Sequence, residues 1–381
     1  MKTDFAPFRS WCDAQGISTP LRLVGEGSYR SMRLPPTKEE LMGQSTSPDG
    51  LVKVVQVPLD ACIIGEDLPT LVEKLKYEVD KGDDSKYAPW LSLFPTLEEF
   101  QDMPRFWDPK RLDLVRKFDG GQLEGRMDID KQRINQCNDP WALACVDSRS
   151  NFLPDETYSI TPMLDMFNHD ASYKTSARVD GGNRFMLELT QESIFGSTGN
   201  GNTMTTGDWT DQIFGFFKGA SSPGEYQPGA EVFVSYGAFD SVETLTNYGF
   251  VSEKPNVCNI EQFKVRSLGM SGSGPAILIV DNEGSVDNLF NTMSLDALRK
   301  ILATSEELEG YNGSGKISQR NEVEVFALIA GELEEAAYDA KMGVAEAESQ
   351  NDALVEKYFR ERQRTLEMGL KWLRNKFPEV F

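Results

Sequence analysis

The chain contains one histidine, His169, among 381 residues. Zinc sites draw mainly on histidine and cysteine, so a zinc site in this chain would need an unusual set of ligands. A Ser-His-Asp or Cys-His catalytic arrangement could be built only around that one residue. Most hydrolase and metalloenzyme functions are therefore disfavoured, and we expect no bound metal.

Cysteine is scarce as well. The five cysteines are an odd number, and no two of them form a Cys-x-x-Cys pair. This usage indicates reduced thiols inside a cell rather than a disulfide framework. Residues 1–16 show neither the basic-then-apolar order of a signal peptide nor the Arg-rich composition of a transit peptide. We therefore expect an intracellular protein, cytoplasmic or plastid.

Long apolar runs and an excess of positive charge are both missing. The run Ala276–Val280 is only strand-sized, whereas a membrane-spanning helix needs about 18 or more apolar residues. The 39 basic residues against 60 acidic ones give a net charge of −21. Such a charge repels nucleic-acid phosphates and anionic lipids. We therefore expect no nucleic acid and no membrane as partners, and a basic or neutral protein surface instead.

The apolar content is sufficient for a core. Hydrophobic residues make up 39% of the chain, and glycine brings the total close to the usual globular value. At a typical size of about 150 residues per domain, the length predicts two linked domains or one domain with a large insertion.

Hydrophobic periodicity predicts an α+β protein. Segments 51–64, 184–189 and 231–236 have the β-branched or alternating pattern of strands. Between the first two, a capping box at Thr70 to Glu73 predicts the start of a helix, within an aromatic-rich helical insertion at about 65–140.

The last third of the chain follows a 3.6-residue period instead. Beyond a Gly/Ser turn at 269–275, this period predicts long helices. We therefore predict a β-rich domain over residues 1–258 and an all-α domain over 259–381. The glycine-rich segment 196–229 predicts a long loop within the first domain.

Two pairs of segments are too specific for ordinary packing. Val146–Arg149 is followed by Pro162–Asp170, and Glu231–Gly237 is followed by Thr246–Val251. In these segments the sequence resembles the SET domain methyltransferases of the Rubisco large subunit methyltransferase-like group. The aromatic insertion and the helical end resemble that group too, so the resemblance covers nearly the whole chain.

The resemblance implies a SET fold with a pseudoknot. In that group an Asp-x-x-Asn-His stretch, here residues 165–169, threads past a strand that ends in tyrosine, here Tyr236. The crossing forms the pocket for cofactor and lysine. A helical insertion in the SET domain and a carboxy-terminal substrate-binding domain are also implied. The implied function is an S-adenosylmethionine-dependent protein-lysine N-methyltransferase that acts on a non-histone protein.

The residues themselves permit this chemistry. Arg149 could pair bidentately with the carboxylate of S-adenosyl-L-methionine, and Asn168 offers both donors and an acceptor. Tyr236 and Tyr248 offer hydroxyl groups that can align an attacking amine. Lysine must first lose a proton, and burial beside a sulfonium lowers its pKa, so we expect no dedicated side-chain base.

The resemblance assigns the site residue by residue. Tyr236 and Tyr248 are the expected catalytic residues. Ser31 stands where the family usually has a glycine, and Tyr173 is the nearest counterpart of a further pocket tyrosine. The expected cofactor-binding residues are Arg149, Asp165, Asn168, His169, Tyr29, Arg30 and Ser31.

Two alternatives remain open. One is methylation of a histidine side chain, which one branch of the family carries out on actin. The other is a SET-fold binding module with little turnover, whose carboxy-terminal domain serves as an interaction surface. Tyr236, Arg149 and Asn168 favour an enzyme, whereas Ser31 and the lack of a clear counterpart for the further pocket tyrosine keep the binding module open.

Overall fold

A computed structural model describes most of the chain in two compact units. One comprises residues 1–101 and 130–237, and the other comprises 102–129 and 238–381. The predicted loop at 196–229 lies largely outside the described residues, and the turn at 269–275 lies wholly outside them. The described residues are 4–26, 29–43, 51–170, 173–195, 226–237, 239, 241–251, 258–263, 276–281, 292–309, 311–313 and 315–381.

Helices and strands are both present, as the sequence predicts. The helices are α1 (Ala6–Ala14), α2 (Lys38–Met42), α3 (Leu68–Asp80), α4 (Ala88–Leu91), α5 (Pro109–Phe118), α6 (Gln122–Cys137), α7 (Pro140–Arg149), α8 (Gln191–Phe195), α9 (Ser241–Tyr248), α10 (Thr292–Leu302), α11 (Ser305–Glu309), α12 (Gln319–Gln350) and α13 (Ala353–Lys376). The strands are β1 (Arg22–Glu26), β2 (Tyr29–Arg33), β3 (Leu51–Pro58), β4 (Ile63–Gly65), β5 (Ser150–Phe152), β6 (Tyr158–Ile160), β7 (Asn168–His169), β8 (Thr175–Val179), β9 (Arg184–Thr190), β10 (Glu231–Val234), β11 (Cys258–Phe263) and β12 (Ala276–Asp281).

The described part of the first unit contains three small sheets. Their strand orders are β1-β2-β10-β7, β3-β9-β8 and β4-β6-β5. Among the described strands, the β7–β10 pair alone is parallel, and every other pair is antiparallel. Strand β9 was predicted to be half-buried, yet Met186 and Glu188 on its second face are buried as well. The reason is its central position between β3 and β8, where Arg178 pairs with Glu188 through hydrogen bonds of 3.0 and 3.1 Å.

Capping side chains set where the helices of this unit begin. Helix α3 begins at Leu68, two residues before the predicted capping box, because the Asp67 carboxylate accepts a hydrogen bond from the Thr70 N–H. Helix α7 begins after Asp139, whose carboxylate caps the Ala142 N–H. Its last residue is Arg149, a predicted site residue.

The second unit is mainly helical. Helices α12 and α13 confirm the 3.6-residue period, and a left-handed Asn351 and the N-cap Asp352 connect them into a hairpin. Arg111 on α5 binds Asp352 through two hydrogen bonds of 2.6 and 2.9 Å. The core is a continuous buried cluster, which includes Leu114, Val115, Leu123, Met127, Val325, Ile329, Leu333, Tyr358, Phe359, Leu366 and Leu373.

The division of the chain differs from the predicted boundary at 258/259. Residues 102–129, predicted as part of an insertion in the first domain, share the buried cluster of α12 and α13. The prediction of an all-α end is wrong at its start, because β11 and β12 form an antiparallel pair. The β-branched run at 276–280 favours a strand locally. The carboxy-terminal region is thus helical after a two-stranded beginning.

None of the helices in the described ranges is both long enough and apolar enough to cross a bilayer.

Candidate functional site

The parallel pairing of β7 with β10 brings two distant segments together. Phe233 lies opposite Asn168 and Val234 opposite His169. The N–H of Asp170 extends the pairing by donating to the Val234 carbonyl at 3.1 Å. Both segments thus lie side by side in the first unit.

Tyr236, two residues beyond β10, makes two hydrogen bonds to the other segment. Its main-chain N–H donates to Nδ1 of His169 at 3.0 Å, and its hydroxyl donates to the Phe167 carbonyl at 2.6 Å. The rings of Tyr236 and His169 lie 5.1 Å apart. Burial raises the pKa of the Tyr236 phenol above its usual range, although Arg149 opposes this. The hydroxyl is therefore a neutral group at physiological pH.

A buried ion pair lies in the same unit. Nη1 of Arg149 donates to the main-chain oxygen of Asp165 at 2.9 Å and to its Oδ2 at 3.2 Å. Oδ2 also accepts from Nε1 of Trp90 at 3.0 Å, and the Arg149 guanidinium lies 5.3 Å from the Phe94 ring centroid. The Asp165 side chain is 0% exposed. Burial raises its pKa, against the opposing effect of Arg149.

This ion pair changes the interpretation of Arg149. The sequence predicted a bidentate pair with a cofactor carboxylate, but Nη1 is engaged by Asp165 of the same chain. Nε of Arg149 and Oδ1 of Asp165 are buried without a hydrogen-bond partner among the described residues. Such atoms are uncommon in folded proteins, and a bound water, ion or ligand is one way to satisfy them.

The turn that carries Asp165 has an unusual backbone. Met163 has a φ of +69° and a ψ of −38°, immediately before the short 3-10 helix Leu164–Met166. A residue with a Cβ rarely adopts this conformation, and the strain is of the order of 1–3 kcal/mol. Met163 is buried, so packing of its side chain holds the turn.

Strand β2 supplies the third segment of the site. Nδ2 of Asn168 donates to the Arg30 carbonyl at 2.9 Å and to Oε1 of Glu231 at 2.7 Å. The Tyr29 hydroxyl donates to the other oxygen of Glu231. Burial lowers the pKa of Arg30, and the positive charge of the nearby Arg149 adds a smaller effect in the same direction. Ser31 is fully buried within the sheet, and its hydroxyl accepts from Nε of Arg33 at 3.3 Å.

The structure thus places all seven expected cofactor-binding residues in the same unit as Tyr236. Tyr173 lies beside them, with its ring 5.6 Å from that of Phe233, and burial raises its pKa to about 12. Tyr248 belongs to the second unit, where its ring lies 5.8 Å from those of Phe239 and Phe250.

The sequence did not identify every residue of this cluster. Glu231 was recognised only as the start of a strand, although it joins Tyr29 to Asn168. Trp90 was assigned to the insertion, although it binds Asp165. An acidic residue that opens an otherwise apolar strand is the signal that could have identified Glu231.

Within the ranges that the structure describes, no group of three or more His, Cys, Asp or Glu is arranged to hold a metal ion. The four described cysteine side chains are free thiols. The fold and the site together define a mixed α/β protein with a buried Arg–Asp pair beside a Tyr–His contact. Comparison with known protein families and with curated protein sequences gave no match.

Proposed function

We propose that the protein is an S-adenosylmethionine-dependent protein-lysine N-methyltransferase acting on a non-histone protein, with the pseudoknotted SET fold. One observation above all supports this: the parallel pairing of β7 with β10, with the Tyr236 hydroxyl on the Phe167 carbonyl. Tyrosine, asparagine and arginine from segments far apart in sequence meet around it, as the resemblance implies.

The residues present fit such a cofactor. Both hydrogens of Asn168 Nδ2 are donated within the chain, which leaves Oδ1 as the acceptor, and Arg149 Nε is a buried donor without a partner among the described residues. Glu231 supplies negative charge, which suits a ligand that carries a sulfonium and an ammonium group. When bound, S-adenosylmethionine would supply the activated methyl group. The residues expected to hold it are Tyr29, Arg30, Ser31, Arg149, Asp165, Asn168 and His169.

The role of Tyr236 follows from its protonation state. With a raised pKa the hydroxyl keeps its proton, and that proton is donated to the Phe167 carbonyl. In this proposal the hydroxyl oxygen accepts a hydrogen from the substrate amine, which orients the nitrogen lone pair for in-line attack. The role of Tyr248, which belongs to the second unit, stays a prediction from the resemblance.

The same site suits a second candidate, a binding module with little turnover. Ser31 favours it, because the buried hydroxyl occupies space in the sheet where the family has a glycine. Histidine methylation would use the same cofactor and differs only in the acceptor residue.

Two measurements on the full chain separate these functions. Isothermal titration with S-adenosylmethionine and S-adenosylhomocysteine tests the cofactor, and we expect both to bind. Incubation of labelled cofactor with fractionated lysate, followed by mass spectrometry of the labelled band, tests transfer and identifies the acceptor residue. A folded sample that binds neither compound contradicts the methyltransferase, and binding without any transfer favours the binding module.

A further inference from the structure

The side chain of Asn168 has no hydrogen-bond donor left for a ligand. One hydrogen of its Nδ2 is donated to the Arg30 carbonyl, at 2.9 Å, and the other to Oε1 of Glu231, at 2.7 Å. An amide nitrogen carries only two hydrogens. The oxygen Oδ1 is then the one polar atom of this side chain that can meet another molecule.

The orientation of this amide is fixed by its neighbours. Both groups that face Nδ2 are acceptors, a carbonyl and a carboxylate. Rotating the amide by half a turn would place Oδ1 against two other oxygens, which is repulsive. Of the two acceptors, the Arg30 carbonyl is main chain, so Glu231 is the side chain that selects the orientation.

Glu231 is itself held in place. Its Oε2 accepts from the Tyr29 hydroxyl, and Nη2 of Arg33 lies 4.0 Å from the same oxygen. The Glu231 side chain is 13% exposed. A carboxylate this enclosed, with a different partner on each oxygen, has little freedom to reorient.

We propose that Glu231 is a positioning residue that fixes Asn168 as a hydrogen-bond acceptor, and that the site therefore selects ligands with an ammonium or amine group at this position. The selectivity rests on the proposed function, because the amine is that of the amino-acid part of the cofactor. The positioning of Asn168 does not rest on it.

Selectivity is measured as the dissociation constant of a ligand that lacks the amine, divided by that of the same ligand with the amine. The probes are S-adenosylhomocysteine and its des-amino analogue, which keeps the carboxylate and lacks the amine. We expect wild type to bind the amine-bearing compound at least about tenfold more tightly, in keeping with a hydrogen bond to a charged group. In Glu231→Leu the amide is released, and the ratio should fall toward one.

Two further variants separate positioning from other effects. Glu231→Gln keeps an oxygen that can accept from Asn168 and loses the charge, so we expect most of the selectivity to remain. Glu188→Gln removes a buried strand carboxylate elsewhere in the unit, and we expect lower stability with an unchanged ratio. If Glu231→Gln loses as much selectivity as Glu231→Leu, the selectivity comes from direct attraction between the Glu231 charge and the ligand amine. The positioning role is then wrong.

A ligand-free measurement distinguishes failure of this proposal from failure of the proposed function. In nuclear magnetic resonance, the side-chain amide hydrogens of Asn168 should exchange slowly with solvent in wild type and Glu231→Gln, and rapidly in Glu231→Leu. Rapid exchange in wild type overturns the positioning role. If neither probe binds while the exchange pattern is as expected, the positioning stands and the cofactor assignment falls.

Discussion

The main chain of Tyr236 donates its N–H to Nδ1 of His169 at 3.0 Å. For this hydrogen bond to exist, Nδ1 must carry no proton, so the neutral imidazole holds its hydrogen on Nε2. The contact couples the last residue of the predicted Asn-His pair directly to the proposed catalytic tyrosine. It thus gives His169 a structural task that requires neither metal binding nor proton transfer.

The first prediction concerns this histidine. Because His169 is the only histidine in the chain, its imidazole nitrogen resonances can be assigned without ambiguity. We expect the Nε2–H tautomer at neutral pH. His169→Ala should leave the Tyr236 N–H without its acceptor and lower the free energy of unfolding by about 1–3 kcal/mol. A spectrum of the Nδ1–H tautomer would contradict the hydrogen bond.

The second prediction tests the Tyr236 hydroxyl. Tyr236→Phe keeps the ring and the main-chain bond to His169, and removes only the hydroxyl, which donates to the Phe167 carbonyl and is proposed to meet the amine. We expect methyl transfer to fall at least about tenfold, or the number of added methyl groups to change, while the dissociation constant of S-adenosylhomocysteine stays within about twofold. The control is Tyr77→Phe, on an exposed tyrosine, which should leave both quantities unchanged. An unaltered transfer rate in Tyr236→Phe would show that the catalytic hydroxyl lies elsewhere.

The local elements were predictable because their signals are local. The periods of β9, α12 and α13 depend on residues within a few positions of one another. The full burial of Met186 and Glu188 was not predictable, because it depends on which strands flank β9. The placement of residues 102–129 with the second unit was hidden for the same reason, since the burial of Leu114 and Leu123 requires α12 and α13.

Less of the site than of the local elements was predictable from the sequence. Resemblance alone suggested that residues 165–169 meet the strand before Tyr236, since no spacing rule pairs segments so far apart. Arg149 and Asp165 were both named as cofactor-binding residues, but sequence could not reveal that they bind each other. The link from Glu231 to Tyr29 depends on the neighbouring places of β2 and β10 in one sheet.

The third prediction follows from the raised pKa of Asp165. Burial makes the folded protein hold this proton more tightly than the unfolded chain does, whose Asp pKa is about 4. The contribution of Asp165 to stability is therefore greatest below about pH 4 and declines as pH rises through the higher, folded pKa. Urea unfolding of wild type and Asp165→Asn at several pH values should show this, as a wild-type advantage that shrinks toward neutral pH. An advantage that grows with pH would mean that Arg149 outweighs burial and lowers the pKa.

The fourth prediction tests the packing of the helical hairpin with two glycines of the same helix. A Cβ on Gly343 would lie 2.7 Å from the ring of Phe359, which is fully buried. Edge-to-face contacts with Phe118 and Tyr358, at centroid distances of 6.2 and 5.3 Å, hold that ring in place. Gly343→Ala should therefore lower the free energy of unfolding by about 1–3 kcal/mol, because one helix must move away from the other.

The matched control is Gly331→Ala. Gly331 is exposed on the same helix, and a Cβ there would meet no described atom within 4 Å. Alanine should raise the free energy of unfolding by up to about 1 kcal/mol through its higher helix propensity. Urea denaturation of the two variants should therefore give shifts of opposite sign. If both substitutions stabilise the protein, α12 and α13 do not pack at Gly343, and the arrangement of the hairpin is wrong at this point.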